Sequence, residues 1–168
     1  RGRPGGSGSQ AGGAERANKD LFLAELCDVL GVERPQPATA DPEKDTYVFE
    51  RPVARSREDG TSIGRIDLYR AGCFVLEAKQ PDQAKRGTPA WEQAMHDAYG
   101  QALGYARSLP EPPPFVVVCD LGHCLDLYAA FDGSGAYRPF PDGFRKRLWL
   151  ADLEAHVPQL RAVWLDPL

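Results

Sequence analysis

The chain has 168 residues, of which 42% are hydrophobic, and its formal net charge is −4. This length and apolar content are enough for one hydrophobic core, so a single domain is expected. The mildly acidic balance excludes nucleic-acid binding that rests on overall charge, and any such contact must depend on local basic patches.

The amino-terminal part is expected to contain a flexible segment, a helix and a first strand. Residues 1–14 are rich in glycine and serine, which predicts flexibility, and the domain is expected to cover 15–168. Apolar residues at helical spacing predict a helix over 15–30, with Gly31 as its stop. A strand is predicted over 46–53. The polar segment that follows, 55–64, is predicted to be a turn or loop.

The rest of the chain alternates strand and helix patterns. The predicted elements are a hairpin of strands 64–70 and 73–80, a long helix over 85–108, strands over 115–120 and 124–131, and a helix over 151–165. The continuous apolar run FVVVCD is typical of a central strand covered on both faces. The order predicts an α/β fold with a mixed sheet between two helical layers.

Neither membrane insertion nor disulfide bonding is indicated. No apolar run is long enough to span a bilayer, and no signal-peptide pattern is present. The four cysteines have no zinc-ligand spacing, and buried free thiols in a reducing cytoplasm are expected.

The second strand of the hairpin begins apolar and ends in two charges, Glu77 and Lys79, which share one face because strand side chains alternate. They could simply mark a strand that leaves the core. Asp67, on the preceding strand, decides between the alternatives. A two-residue loop would turn Asp67 away from Glu77. A three-residue loop over 70–72, favoured by Gly72, would place Asp67 opposite Val75 and diagonal to Glu77 on one face, although a bulge could achieve the same result.

Two helices carry further candidates. Gln101 and Tyr105 lie four residues apart on the apolar side of the long helix, where a glutamine needs a partner, although a nearby backbone group could supply it. Glu15 begins the first helix. Ordinary complementarity with the helix dipole is the better explanation of Glu15 from the sequence alone.

Two carboxylates and a lysine are the groups that metal-assisted phosphodiester hydrolysis requires. Mg²⁺ prefers hard oxygen ligands and is often held by one or two carboxylates together with a substrate phosphate. A lysine can orient the attacking water or stabilise charge that develops on the phosphorus.

These residues resemble a known motif. Asp67, nine intervening residues and then Glu77-Ala78-Lys79 resemble the PD-(D/E)xK nuclease motif, with Ile66 in place of the proline. The stretches GRIDLYRAGCFVLEAKQ and QALGYARSLP are similar to the amino-terminal nuclease domain of MmeI-like (type IIL/IIG) restriction-modification enzymes, and the similarity extends over most of residues 15–130. The resemblance implies a restriction-endonuclease-like fold and a metal-dependent DNA endonuclease.

The resemblance also implies a role for each site residue. Asp67 and Glu77 would be metal ligands for Mg²⁺ or Mn²⁺, with Glu15 beside the metal, and Lys79 would be the catalytic lysine. Gln101 and Tyr105 match a QxxxY motif that positions substrate and supports the site. Gln80, directly after the lysine, recurs in related motifs.

The implied partner is DNA, in the bacterial cytoplasm. Methyltransferase and target-recognition domains are expected beyond this fragment, and a dimer could make double-strand breaks. Candidate phosphate contacts are Arg51, Arg55, Arg57, Arg65, Arg70, Lys85, Arg86 and the FRKR stretch over 144–147, although each could equally be a solvated surface charge. The alternative function is a catalytically silent, DNA-engaging regulatory module of a phage-defence methyltransferase. A weaker alternative is a structural domain that only couples other domains.

Overall fold

One mixed sheet organises the fold. The computed structural model describes residues 7–80 and 84–168, and within them eight strands pair in the order β1-β2-β3-β4-β5-β6-β7, with β8 also paired to β6. The strands are β1 Gln36–Pro37, β2 Tyr47–Arg57, β3 Gly60–Arg70, β4 Phe74–Lys79, β5 Phe115–Asp120, β6 Cys124–Ala129, β7 Arg138–Pro139 and β8 Arg147–Trp149. The helices are α1 Ser7–Leu30, α2 Pro89–Ser108 and α3 Leu153–Leu165. The predicted α/β class with a helix-flanked mixed sheet is confirmed.

The two faces of the sheet have separate apolar layers. Helices α1 and α3 cover one face, where Leu26 and Trp164 pack with Leu76 of β4. Helix α2 covers the other face, where Met95 packs with Val75. Strand β5 is buried along its whole length between β4 and β6, as its continuous apolar run predicts. The four cysteines are buried and free, which confirms the expectation from their spacing.

Helix α1 is longer than the apolar spacing predicts. It begins at Ser7 rather than Glu15, and it ends as predicted at Gly31, which has a φ of +70°. Residues 13–18 are exposed, so these six residues bury no apolar face that a sequence pattern could detect. Of the segment predicted to be flexible, residues 1–6 lie outside the described residues, and flexibility of the remainder stays a prediction.

The turn or loop predicted over 55–64 is instead the outer part of a long β-hairpin. Strands β2 and β3 pair as far as Arg57 with Gly60 and are joined by a tight turn at Glu58 and Asp59. β1 pairs with β2 only at residues 48–49, and β4 pairs with β3 only at residues 68–70. The outer half of the hairpin, residues 51–66, therefore extends beyond its neighbours as a two-stranded ribbon. Its exposed face lacks the apolar alternation by which strands are predicted.

Candidate active site

The register of β3 and β4 brings the two predicted carboxylates together. Leu68 pairs with Leu76 and Arg70 with Phe74, so the loop is Ala71–Cys73, with Gly72 in the left-handed region at a φ of +72°. The predicted loop over 70–72 is therefore wrong by one position. Extending this register by one residue places Asp67 opposite Glu77 rather than Val75, and the charge of Asp67 acts on the Glu77 carboxyl, so the two carboxylates lie close together as expected.

The strands separate at this point. Backbone pairing between β3 and β4 ends at Leu68 and Leu76, and the Asp67 carboxylate replaces it by accepting a hydrogen bond of 2.8 Å from the Ala78 amide to its Oδ2. Ile66 packs on the α2 face, whereas Leu68 packs on the opposite face, although side chains two apart on a regular strand share a face. Asp67 therefore lies where the ribbon turns over.

Glu50 marks the same turning point on β2. It lies between the pairs Phe49–Leu68 and Arg51–Ile66, opposite Asp67, and has a φ of +55°. A residue with a side chain adopts this left-handed conformation only when the surrounding structure compensates for the strain. The strained position thus coincides with the separation of the strands at the carboxylates.

The carboxylate of Glu77 is buried and incompletely satisfied. Only 4% of Glu77 and 7% of Asp67 are exposed, and Glu77 Oε2 has no hydrogen-bond partner among the described residues. Burial, and next the negative charge of Asp67, raise the pKa of Glu77 to about 8, while Lys79 and Lys19 act in the opposite direction. Two such carboxylates side by side favour a bound cation.

Lys79 ends β4 two residues beyond Glu77 and is half-buried on the same strand face. Its register neighbour on β5 is Asp120, which is fully buried. Asp120 accepts hydrogen bonds from Arg86 and from the Trp91 indole. These donors satisfy the acid next to Lys79, and Lys79 forms no ion pair within residues 7–80 and 84–168.

Helix α1 contributes a charged face that the sequence interpretation missed. Lys19 Nζ lies 3.7 Å from Asp67 Oδ2, and Arg16 Nε lies 3.9 Å from Glu50 Oε1. Asp20 has a raised pKa, caused first by burial and then by the charge of Asp67, and its buried Oδ1 has no hydrogen-bond partner in the described part of the chain. Spacing of three and four residues puts these side chains on one helix face, but only the packing of α1 on the sheet brings this face to Asp67.

Glu50 is also part of this acidic group. Burial raises its pKa first, and the charge of Asp67 raises it further, while Arg16 and Lys19 lower it. The sequence alone could not predict that Glu50 lies near Asp67, because this proximity depends on the pairing of β2 with β3.

Two of the predicted site residues are exposed. Glu15 is exposed on α1, about one turn before Lys19, and its side chain makes no hydrogen bond or ion pair with any described residue. Gln80 is exposed immediately after β4. The roles that the resemblance implies for them stay predictions.

Comparison with known proteins assigns the family. The family model described as MmeI, N-terminal domain, matches residues 6–167, nearly the whole chain. The chain belongs to this family. Membership indicates a module of a restriction-modification protein, a class of proteins that acts on DNA. No curated protein and no solved structure matches the chain significantly. Among the described helices, none combines the length and apolar character needed to cross a bilayer.

In this MmeI-type domain, Gln101 and Tyr105 support the β2–β3 ribbon. Gln101 Nε2 donates a 2.9 Å hydrogen bond to the Tyr105 hydroxyl. The Tyr105 ring fills the space beside Gly64, where an added Cβ would lie 2.4 Å from the ring. The Arg55 guanidinium lies over the same ring, 5.1 Å from its centre. Because Gly64 is three residues from Asp67, this contact holds the ribbon near the point where the strands separate.

Several of the predicted phosphate-binding residues have partners inside the domain. Arg51 and Arg70 lie over the rings of Tyr69 and Tyr47. Arg86 and Arg147 form ion pairs with buried aspartates. Arg65 is exposed on the ribbon, and Lys85 is exposed before α2. The side chain of Arg57 lies outside the described part of the structure.

The two carboxylates fit a site for a cation such as Mg²⁺, which water and phosphate help to bind. They do not fit a site in which protein side chains supply all the metal ligands. Among residues 7–80 and 84–168, no group of three or more His, Cys, Asp or Glu side chains has the arrangement to hold a metal ion. Mg²⁺ does not require such a group, because it keeps several waters and binds through one or two carboxylates plus phosphate. The unpaired Oε2 of Glu77 beside Asp67 is the observation that fits it.

Proposed function

We propose that this domain is a metal-dependent endonuclease module that hydrolyses DNA phosphodiester bonds in a restriction-modification protein. The observation that carries the proposal is the buried pair Asp67 and Glu77, which lie opposite each other with an unpaired carboxylate oxygen, beside Lys79 on the same strand. Burying two adjacent carboxylates is costly without a cation, so their position calls for a ligand.

Each residue has a distinct task in this proposal. Asp67 and Glu77 would hold Mg²⁺ or Mn²⁺, and the bound ion would polarise the scissile phosphate and lower the pKa of a water molecule. The Ala78 amide fixes the Asp67 carboxylate through its hydrogen bond, so this ligand is oriented before any cation arrives. Lys79 supplies a positive charge for the phosphate as negative charge develops on it.

A domain that engages DNA without cutting it is the alternative. That function is favoured if Asp67 points away from Glu77 and Lys79, because the acidic pair is then not retained. The observed register instead supports the cleaving function, since Asp67 lies opposite Glu77 and its carboxylate contacts the Ala78 amide.

The proposal is tested by nicking of supercoiled plasmid by the full chain, with and without Mg²⁺. The wild type should nick DNA only with the divalent ion, and Lys79→Ala should lower the rate about a hundredfold or more. Lys44→Ala is the matched control, because Lys44 lies in the short 3-10 helix Pro42–Lys44 before β2 and pairs with Asp41. Equal rates for wild type and Lys79→Ala, or nicking without divalent ions, would refute the proposal.

A further inference from the structure

Lys19 pairs with one oxygen of Asp67, a carboxylate that would hold the proposed metal ion. Its Nζ lies 3.7 Å from Asp67 Oδ2, and the same oxygen already accepts the Ala78 amide hydrogen. Lys19 comes from α1, whereas Asp67 comes from β3, so the contact joins the helix to the carboxylate site. A lysine here is a third positive charge near the acids, besides Arg16 and Lys79.

This ion pair differs from the ones that stabilise buried acids elsewhere in the chain. Arg147 contacts both oxygens of Asp126 at 2.7 and 2.9 Å, and Arg86 contacts both oxygens of Asp120. Lys19 makes a single, longer contact and leaves Glu77 Oε2 and Asp20 Oδ1 unpaired. The Lys19 ammonium therefore offsets part of the negative charge at Asp67 but does not supply hydrogen bonds to all the buried carboxylate oxygens around it.

The lysine side chain is also able to leave. Its side chain is 23% exposed and has the flexible four-carbon stem of lysine, whereas the side chain of Arg147 is enclosed between Trp91 and Trp149. A divalent ion on Asp67 would stand close to the Lys19 ammonium, and the repulsion between two cations in a half-buried site is strong. The ammonium therefore has to move when the ion binds, and a DNA phosphate is the anion that could receive it.

We propose that Lys19 keeps divalent cations off Asp67 until a DNA phosphate draws its ammonium away, so that metal binding and DNA binding are coupled. Lys19 is then a positioning residue that makes metal loading conditional on substrate. The inference rests on the proposed function, since it requires a metal at Asp67. By linkage, DNA must raise the affinity for the metal by the same factor by which the metal raises the affinity for DNA.

Calorimetric titration of the full chain with Ca²⁺ tests this, without DNA and with a short duplex of mixed sequence. Three variants are compared with the wild type: Lys19→Met, Lys19→Arg, which keeps the charge, and Lys44→Met, which removes one surface charge elsewhere. In wild type and Lys44→Met, DNA should raise the Ca²⁺ affinity about tenfold. Lys19→Met should bind Ca²⁺ about tenfold more tightly than wild type without DNA, and DNA should then add little. Lys19→Arg should behave as the wild type does.

The outcomes separate the two proposals. If Lys19→Met binds Ca²⁺ no more tightly than Lys44→Met and DNA still raises its affinity fully, the role of Lys19 is refuted and the endonuclease proposal stands. If no variant binds Ca²⁺ with or without DNA, the metal site itself is refuted, and both proposals fall. A thermal unfolding scan of each variant confirms that it is folded, and Lys19→Gln replaces Lys19→Met if the latter is not.

Discussion

Two sets of buried carboxylates lie in one sheet, and they differ in whether their oxygens have hydrogen-bond partners. Asp120 at the end of β5 and Asp126 within β6 are almost fully buried, and arginine donors contact both oxygens of each. At the β3–β4 separation, Asp67 and Glu77 are also buried, but Glu77 retains an unpaired oxygen among the described residues and a strongly raised pKa.

The difference shows what to look for in a buried acid. A charge that only maintains the structure is matched by a cation with fixed geometry, because an unmatched buried charge is costly. A buried carboxylate with an unpaired oxygen can still bind a ligand such as a metal ion. The same chain offers both cases, so burial alone does not identify a functional carboxylate.

The largest expected effect comes from breaking the satisfied set. Arg147→Met removes the cation that contacts both oxygens of Asp126 and that packs over Trp91. An uncompensated buried carboxylate should lower the free energy of unfolding by about 3–5 kcal/mol, measured by urea denaturation at pH 7. Arg138→Met, an exposed arginine of β7, is the control and should change stability little. A loss below about 1 kcal/mol in Arg147→Met would contradict the assignment of Asp126 as a matched acid.

The unsatisfied set should respond with the opposite sign. Glu77→Gln removes a charge that burial and Asp67 disfavour, so the metal-free protein should gain about 2 kcal/mol of stability at pH 8 while losing metal binding. The folded protein binds the Glu77 proton more tightly than the unfolded chain does. Wild-type stability without metal should therefore fall as pH rises from about 4.5 to about 8, and Glu77→Gln should remove this part of the slope.

The measurement is urea denaturation at several pH values in the presence of a chelator. Glu111→Gln, at an exposed position, is the control and should keep the wild-type slope. Lower stability of Glu77→Gln than of wild type at pH 8 would mean that the carboxylate is already compensated.

The sequence predicted the sheet and its core, but it did not predict the two-stranded ribbon or the helix and strand residues that lie near Asp67. Strand β5 and the apolar face of α2 follow from hydrophobic patterns, because the local environment alone decides them. The ribbon, with one exposed face, carries no such pattern. Asp67, Glu77 and Lys79 were predictable from strand spacing and the motif. Lys19, Asp20 and Glu50 were not, because they meet Asp67 only through the packing of α1 and the pairing of β2, both of which are non-local.

A smaller effect than that of Arg147→Met is expected where α2 supports the ribbon. Gly64→Ala would place a Cβ 2.4 Å from the Tyr105 ring, which should cost about 1–3 kcal/mol of stability as the ribbon shifts. Gly100→Ala is the matched control on α2, since nothing lies within 4 Å of its added Cβ, and it should stabilise the helix by about 0.5–1 kcal/mol. Combining Gly64→Ala with Tyr105→Leu should cost less than the sum of the two single changes. Additive costs would show that the ring and the ribbon do not share this space.

The smallest effect isolates the exposed half of the Arg147 pairing. Glu92 accepts two hydrogen bonds from the guanidinium that also contacts Asp126, and these bonds hold the pKa of Glu92 below its ordinary value. Its side chain is about half exposed, so Glu92→Gln should cost less than about 1 kcal/mol at pH 7. A lowered pKa means that the contribution is complete above the ordinary value of 4.5 and disappears as pH falls through the folded-state pKa, so wild type and Glu92→Gln should converge in acid. A cost equal to that of Arg147→Met would show that Glu92, and not the buried Asp126, is the main partner of the arginine.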